Sequence, residues 1–187
     1  MGTAREDRYL TTKFRIATTW LDGCSGCHMS LLDLDEQIVQ LAEKLDLVYS
    51  PLVDAKVFPE LVDATLIEGA VSNDDDEKKV RLIRERSRII IAFGDCAITA
   101  NVPGMRNQFL TRDVLERAYV QNANCGEMPT AEHIPALLNR VRPVHEIVPV
   151  DVFLPGCPPP SEAIHFVATE LLNGRTPDLT GKIRFGA

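Results

Sequence analysis

No stretch of this chain is apolar for long enough to cross a membrane: the longest uninterrupted run is about Ile89–Phe93, whereas a spanning helix needs roughly 20 residues. An export signal is missing as well. The first thirteen residues mix Arg5, Glu6, Asp7 and Arg8 without an apolar core, matching neither a secretory nor a twin-arginine leader. A cytoplasmic location is therefore expected. Basic clusters are also scarce: 20 Lys and Arg stand against 27 Asp and Glu, a formal net charge of -7. A nucleic-acid partner would require a basic face for its phosphates, so that class is excluded. Neither a Gly-x-Gly-x-x-Gly turn nor a Walker loop is present, which argues against NAD or a nucleotide binding to this chain. There is no internal repeat and no low-complexity segment.

What is present is an alternation of β-like and helical runs. Lys13–Trp20 reads as a first strand, followed by a helical apolar spacing at Leu31, Leu34, Ile38, Leu41, Ala42 and Leu45. Asp46–Val53 and Ala64–Val71 read as the second and third strands. Asn73 then caps a helix with Asp74, Asp75 and Asp76 in its first turn and Arg84, Arg86 and Arg88 near its end, complementing the helix dipole. Arg88–Phe93 and Val148–Leu154 supply the fourth and fifth strands, and a helix capped by Ser161 stops at Asn173-Gly174. Between them a shorter helix is expected around Thr111–Val120. The pattern implies an α/β fold with a flavodoxin-like, doubly wound parallel sheet in the order 2-1-3-4-5. With 187 residues and 45% hydrophobic content, the chain is expected to form one domain over 1–187, with an N-terminal extension at 1–12 and a C-terminal tail at 175–187.

Five cysteines are the chemically informative residues. Four lie in short segments that each follow a strand-like run: Gly23-Cys24-Ser25-Gly26-Cys27, Gly94-Asp95-Cys96 and Gly156-Cys157-Pro158-Pro159. If those strands are parallel neighbours, all four sulfurs emerge at one edge, where open α/β sheets bind their ligands. In a reducing compartment such a set binds metal or performs redox chemistry rather than forming disulfides. Four thiolates satisfy either tetrahedral zinc or a [4Fe–4S] cluster, and spacing alone does not decide between them. One pair and two single cysteines about 70 and 60 residues apart suit a bulky cluster better than a compact zinc knuckle. The alternative of four buried, inert cysteines also stands, because free cysteine is commonly buried. Glycines near the cysteines would let backbone N–H groups approach sulfur. Cys125 falls outside these segments and is read as a non-ligand.

Three other residues are candidates for the surroundings of the site. Glu68 closes the third strand at the ligand edge, where it would hydrogen-bond near the cluster or join a proton path; the alternative is a solvated or interface carboxylate. His28 adjoins Cys27 as a tuning group, a spare ligand or, the preferred reading, a partner contact. Trp20 would line the cluster or a subunit interface, with a core position as the alternative. A flavodoxin-like fold also binds FMN at this edge. With cysteines occupying the edge and no Ser/Thr-rich phosphate loop after the first strand, FMN is the less favoured occupant.

The segments Trp20–Ser30, Glu68-Gly69, Gly94-Asp95-Cys96, Val102–Asn107 and Pro155–Pro159, taken together and in this order, resemble the small subunit of [NiFe] hydrogenases. More narrowly, the chain is similar to the small subunit of the cytoplasmic, bidirectional, NAD-reducing type, itself related to the 20 kDa cluster-binding subunit of respiratory complex I. The resemblance implies one proximal [4Fe–4S] cluster on Cys24, Cys27, Cys96 and Cys157. It implies a large subunit that carries the NiFe centre, and diaphorase subunits that carry flavin, further clusters and the NAD site. The chain would then relay electrons within an oxidoreductase complex. Complex I subunits usually have adjacent cysteines at the first motif, so the separated Cys24 and Cys27 favour the hydrogenase branch. The short stretch after the last helix implies a single cluster. The competing readings are a small subunit of an F420- or ferredoxin-linked hydrogenase and a zinc-stabilised interaction module.

Overall fold

The computed structural model describes residues 13–183 except 125, 131 and 133, so the expectations for Cys125 and the 1–12 extension lie outside the described residues. Five parallel strands form the central sheet in the order β2-β1-β3-β5-β7: β1 (Phe14–Trp20), β2 (Leu45–Tyr49), β3 (Val62–Glu68), β5 (Ser87–Phe93) and β7 (Val152–Leu154). Two further short strands, β4 (Val71–Asn73) and β6 (Leu137–Arg142), pair antiparallel to one another away from that sheet. The expected order of 2-1-3-4-5 thus describes the central five strands, and the separate pair shifts the numbering of the last two.

The period-2 geometry of β5 separates two cores. Ile90 and Ala92 face a cluster containing Val80 and Ile83 of α3 (Asp74–Arg86). Ile91 and Phe93 face Leu34, together with Ala163, Ile164, Val167 and Leu171 of α6 (Ser161–Leu172). A strand buried on both faces needs apolar residues at every position, which is why Ile89–Phe93 is the longest such run in the chain. Among the described residues, no helix is long and apolar enough to cross a membrane.

Several boundaries differ from the expectations. The apolar pattern from Leu31 to Leu45 is not one helix: α1 (Gly26–Leu32) and α2 (Glu36–Ala42) are separated at Asp35, whose φ of 49° and ψ of -123° cannot continue a helix. Leu45 already belongs to β2, which ends at Tyr49 rather than Val53. β3 stops at Glu68 because Gly69 takes φ 89°, where a Cβ would come within 2.8 Å of the Asp22 carbonyl oxygen. The expected fifth strand contracts to Val152–Leu154. Ser161 is the first helical residue of α6 rather than its cap; Pro160 holds the cap position, and its fixed φ suits a helix entry. Helix α5 (Thr111–Leu115) continues as a wider π-helical segment over Glu116–Gln121.

Asn73 does cap α3: its side-chain oxygen accepts from the Asp76 N–H at 2.8 Å. Its amide donates back to the Asp76 carboxylate at 2.8 Å, and the same carboxylate accepts from the Ser72 N–H at 3.2 Å. Asn73→Ala removes both halves of this exchange and is expected to lower stability by about 1 kcal/mol, measured as a reduced urea midpoint at constant slope.

Candidate functional site

The carboxyl ends of β1, β3, β5 and β7 meet at one edge of the sheet and deliver the predicted residues to it. The loop after β1 carries exposed Cys24 and leads to buried Cys27 in the first turn of α1. Cys96 lies in α4 (Asp95–Thr99), immediately beyond β5, and exposed Cys157 follows β7. The last two loops are locked in register. Gly94 N–H donates to the Leu154 carbonyl at 2.8 Å, and Asp95 N–H to the Gly156 carbonyl at 2.9 Å. The buried Asp95 carboxylate accepts from Gly156 N–H at 2.7 Å. Such a charge-assisted bond between adjacent loops fixes the spacing of the cysteines that follow them.

Gly94 is required by close approach. A Cβ at this position would sit 2.3 Å from the Cys27 sulfur. The loop after β5 therefore passes directly against a cysteine delivered from β1, which only a residue without a side chain permits.

Glu68 is 2% exposed and organises the first cysteine loop from β3. Its carboxylate accepts from the backbone N–H groups of Cys27 at 3.3 Å and His28 at 3.0 Å, and also contacts His28 Nδ1. His28 Nε2 lies 2.8 Å from Thr18 Oγ1, which donates to Ser50 Oγ at 2.8 Å. The expectation that His28 serves as a spare ligand or partner contact is corrected by this placement. The imidazole faces inward, is 4% exposed and meets the Phe93 ring edge-on. Trp20, by contrast, is 45% exposed at the end of β1, with its indole N–H on the Gly23 carbonyl at 3.2 Å, so the core alternative does not hold.

Burial, with Glu68 next, pushes the Cys27 thiol well above the ordinary range; Cys96, Cys24 and Cys157 add to the shift. Burial also raises Cys96, against a backbone hydrogen bond from Val102 that favours its thiolate. The three cysteine loops are adjacent at this edge, through the approach of Gly94 to Cys27 and the bond between Asp95 and Gly156. Among the described residues, however, no three His, Cys, Asp or Glu side chains converge on a position for a single metal ion. Four soft thiol donors brought to one edge are a donor set that can hold a metal centre, either a single zinc ion or a multi-iron cluster.

Backbone and amide donors also reach the sulfurs. Gly26 N–H lies 3.4 Å from Cys24 Sγ, and Asn101 Nδ2 lies 3.6 Å from Cys157 Sγ. Asn101 is not legible as part of the site from sequence, because it acts from a turn whose path the spacing does not encode; Val102 opens the recognised segment Val102–Asn107, but nothing in the sequence points to its bond to Cys96. Asp95 stands inside a recognised segment, but nothing in the sequence points to its bond across to Gly156.

Residues 24–171 match the family described as NADH ubiquinone oxidoreductase, 20 kDa subunit. The chain belongs to this family. Within it, the chain is 40% identical over 176 residues to the NAD-reducing hydrogenase HoxS subunit delta of Cupriavidus necator, covering 91% of this chain and 84% of that one. It is 41% identical over 177 residues to a subunit of the vhu F420-non-reducing hydrogenase of Methanococcus voltae, covering 93% of this chain and 61% of the relative. The chain therefore spans about three-fifths of the length of that methanogen protein. A solved structure of an NAD+-reducing [NiFe]-hydrogenase in the H2-reduced state superposes with a TM-score of 0.89 at 40% identity, covering 93% of this chain and 99% of the other. A [NiFeSe] hydrogenase from Desulfovibrio vulgaris Hildenborough, at 18% identity and a TM-score of 0.55, shares the fold. This member of the 20 kDa family is thus homologous to hydrogenase small subunits.

Removing the Glu68 carboxylate would leave buried N–H donors unpaired, each costing about 1–3 kcal/mol. Glu68→Ala is expected to destabilise the chain by about 3 kcal/mol or more, and Glu68→Gln, which keeps an acceptor oxygen, by about half as much. Thermal unfolding followed by circular dichroism ranks the two; equal losses would show that the acceptor is not what matters.

Proposed function

We propose that this chain is the electron-relay small subunit of an NAD-reducing [NiFe] hydrogenase, holding one [4Fe–4S] cluster on Cys24, Cys27, Cys96 and Cys157. The observation that carries the reading is the gathering of these four thiols from three loops at one sheet edge, with Gly94 passing directly against Cys27 and Asp95 tying its loop to that of Cys157. The 40% identity to a NAD-reducing hydrogenase subunit supports the choice of complex. Bound there, the cluster would supply one-electron transfer between the NiFe centre of a large subunit and a diaphorase carrying flavin and further clusters. FMN at this edge is the less favoured occupant. The reading treats 1–187 as one flavodoxin-like domain and places the complex in the cytoplasm.

The chain's own residues do the positioning. Gly94 lets the loops close on Cys27, Asp95 sets the distance to the Cys157 loop, and Glu68 holds the backbone of the first motif. Exposed apolar side chains flank the ligand loops along the chain: Trp20, Met29, Val102, Met105, Phe109 and Leu110. Aromatic and methionine side chains of this kind suit the core of a subunit interface, so this edge is the docking face for the large subunit. The similarity to the F420-non-reducing hydrogenase is equally high and supports a second reading, in which the same relay serves different partners. Identification of the co-purifying subunits separates the two.

The ligand assignment is tested by iron and acid-labile sulfide in anaerobically purified complexes. Cys24→Ala, Cys27→Ala, Cys96→Ala and Cys157→Ala should each lose or convert the cluster, while Cys125→Ala should retain it. A full complement in Cys157→Ala would overturn the assignment.

The relay role has a separate test. An assembled complex carrying cluster-free Cys96→Ala should lose hydrogen-driven NAD+ reduction yet still pass electrons from NADH to a dye. Substantial hydrogen-driven reduction in that complex would require another route.

A further inference from the structure

Two successive non-glycine residues leave α4 in the left-handed region: Ala100 at φ 63° and Asn101 at φ 24°. Each such residue is strained and persists only where its surroundings hold it. The hold is visible here. Ala100 is buried, its N–H donates to the Cys96 carbonyl at 3.0 Å, and its carbonyl accepts from Gly104 N–H at 2.8 Å. A Cβ at Gly104 would meet the Ala100 methyl at 3.2 Å, so the small residue lets the turn close.

The turn brings two donors to two sulfurs that come from different strands. Asn101 Nδ2 reaches Cys157 beyond β7, and the Val102 backbone reaches Cys96 beyond β5. Asparagine tolerates the left-handed region better than most residues, and that alone would account for its presence in a strained turn. Yet Ala100 adopts the same region without a donor, and the Asn101 amide reaches the ligand sulfur 56 residues away.

We infer that Asn101 is a tuning residue: its side-chain N–H, donated to Cys157 Sγ, raises the reduction potential of the cluster held there. The inference rests on the cluster assignment made above. A hydrogen bond to a thiolate spreads its negative charge, and the reduced cluster carries one electron more than the oxidised one. The donor therefore stabilises the reduced form by more. The surrounding apolar side chains strengthen the effect once a partner covers the edge, because hydrogen bonds are stronger away from water.

The test uses Asn101→Gly and Asn101→Ala in the assembled complex, with iron and sulfide content and a mediated one-electron redox titration followed by EPR. The glycine variant keeps the turn accessible and removes only the amide, so it separates the donor from the backbone. Both variants are expected to retain parental iron and to show about a tenfold smaller equilibrium constant for reduction, a shift of about 59 mV to more negative potential. Asn101→Asp, which replaces a donor by an anion, is expected to move it at least as far. An unchanged potential in the glycine and alanine variants at full iron content overturns the inference. Loss of the cluster from both also overturns it, because the amide would then hold the loop rather than tune the sulfur. Absence of iron and sulfide from the parent complex overturns the cluster assignment itself, an outcome distinct from either of these.

Discussion

A buried carboxylate fixes the ligand edge. Glu68 terminates β3, the strand at the middle of the sheet, and its oxygens meet the backbone of Cys27 and both the backbone and the ring of His28. A buried carboxylate is tolerable only when its oxygens are satisfied, and here the start of α1 supplies the donors. The same interaction sets the orientation of the first cysteine motif relative to the sheet. His28 then extends the network to Thr18 and Ser50, so polar contacts inside the protein back the motif from behind.

The opposite side of the edge depends on backbone pairing. β7 contributes only three residues to the sheet, too few to set a loop by strand pairing alone. The exchange between Asp95 and Gly156 extends the registration of β5 and β7 beyond the strands. Together with the approach of Gly94 to Cys27, this brings the three cysteine loops into one construction. The turn through Ala100 and Asn101 adds donors from a fourth segment. Carboxylate, backbone and amide groups thus meet the cysteines from different elements, as expected where the groups that hold a ligand are themselves held by a second layer of contacts.

Much of this edge is legible in the residues alone. Glycine-flanked cysteines after strand-like runs, together with parallel topology, imply a common edge, and Asn73 announces its helix through the acidic turn that follows. The split between α1 and α2 is not legible, because Leu34, Ile38 and Leu41 keep a helical period across a break made by the backbone of Asp35. His28 misleads because adjacency to Cys27 suggests chemistry at the surface. In an α-helix, neighbours point about 100° apart, so that adjacency turns the imidazole inward. Asn101 is invisible for a related reason: its reach to Cys157 depends on dihedral angles that no residue spacing records. The side chains that hold thiolates are readable from type and interval, whereas those that address the thiolates depend on the path of the chain.

The depth of Cys27 bears on the order in which such a site is filled. A thiol is a weak nucleophile and a poor ligand until it loses its proton. Burial, reinforced by the Glu68 carboxylate, favours the protonated form of Cys27. Access to the edge is correspondingly uneven: Cys27 is covered, while Cys24 and Cys157 are open at the rim. Any solute that reaches this edge therefore meets the two rim sulfurs before the covered one.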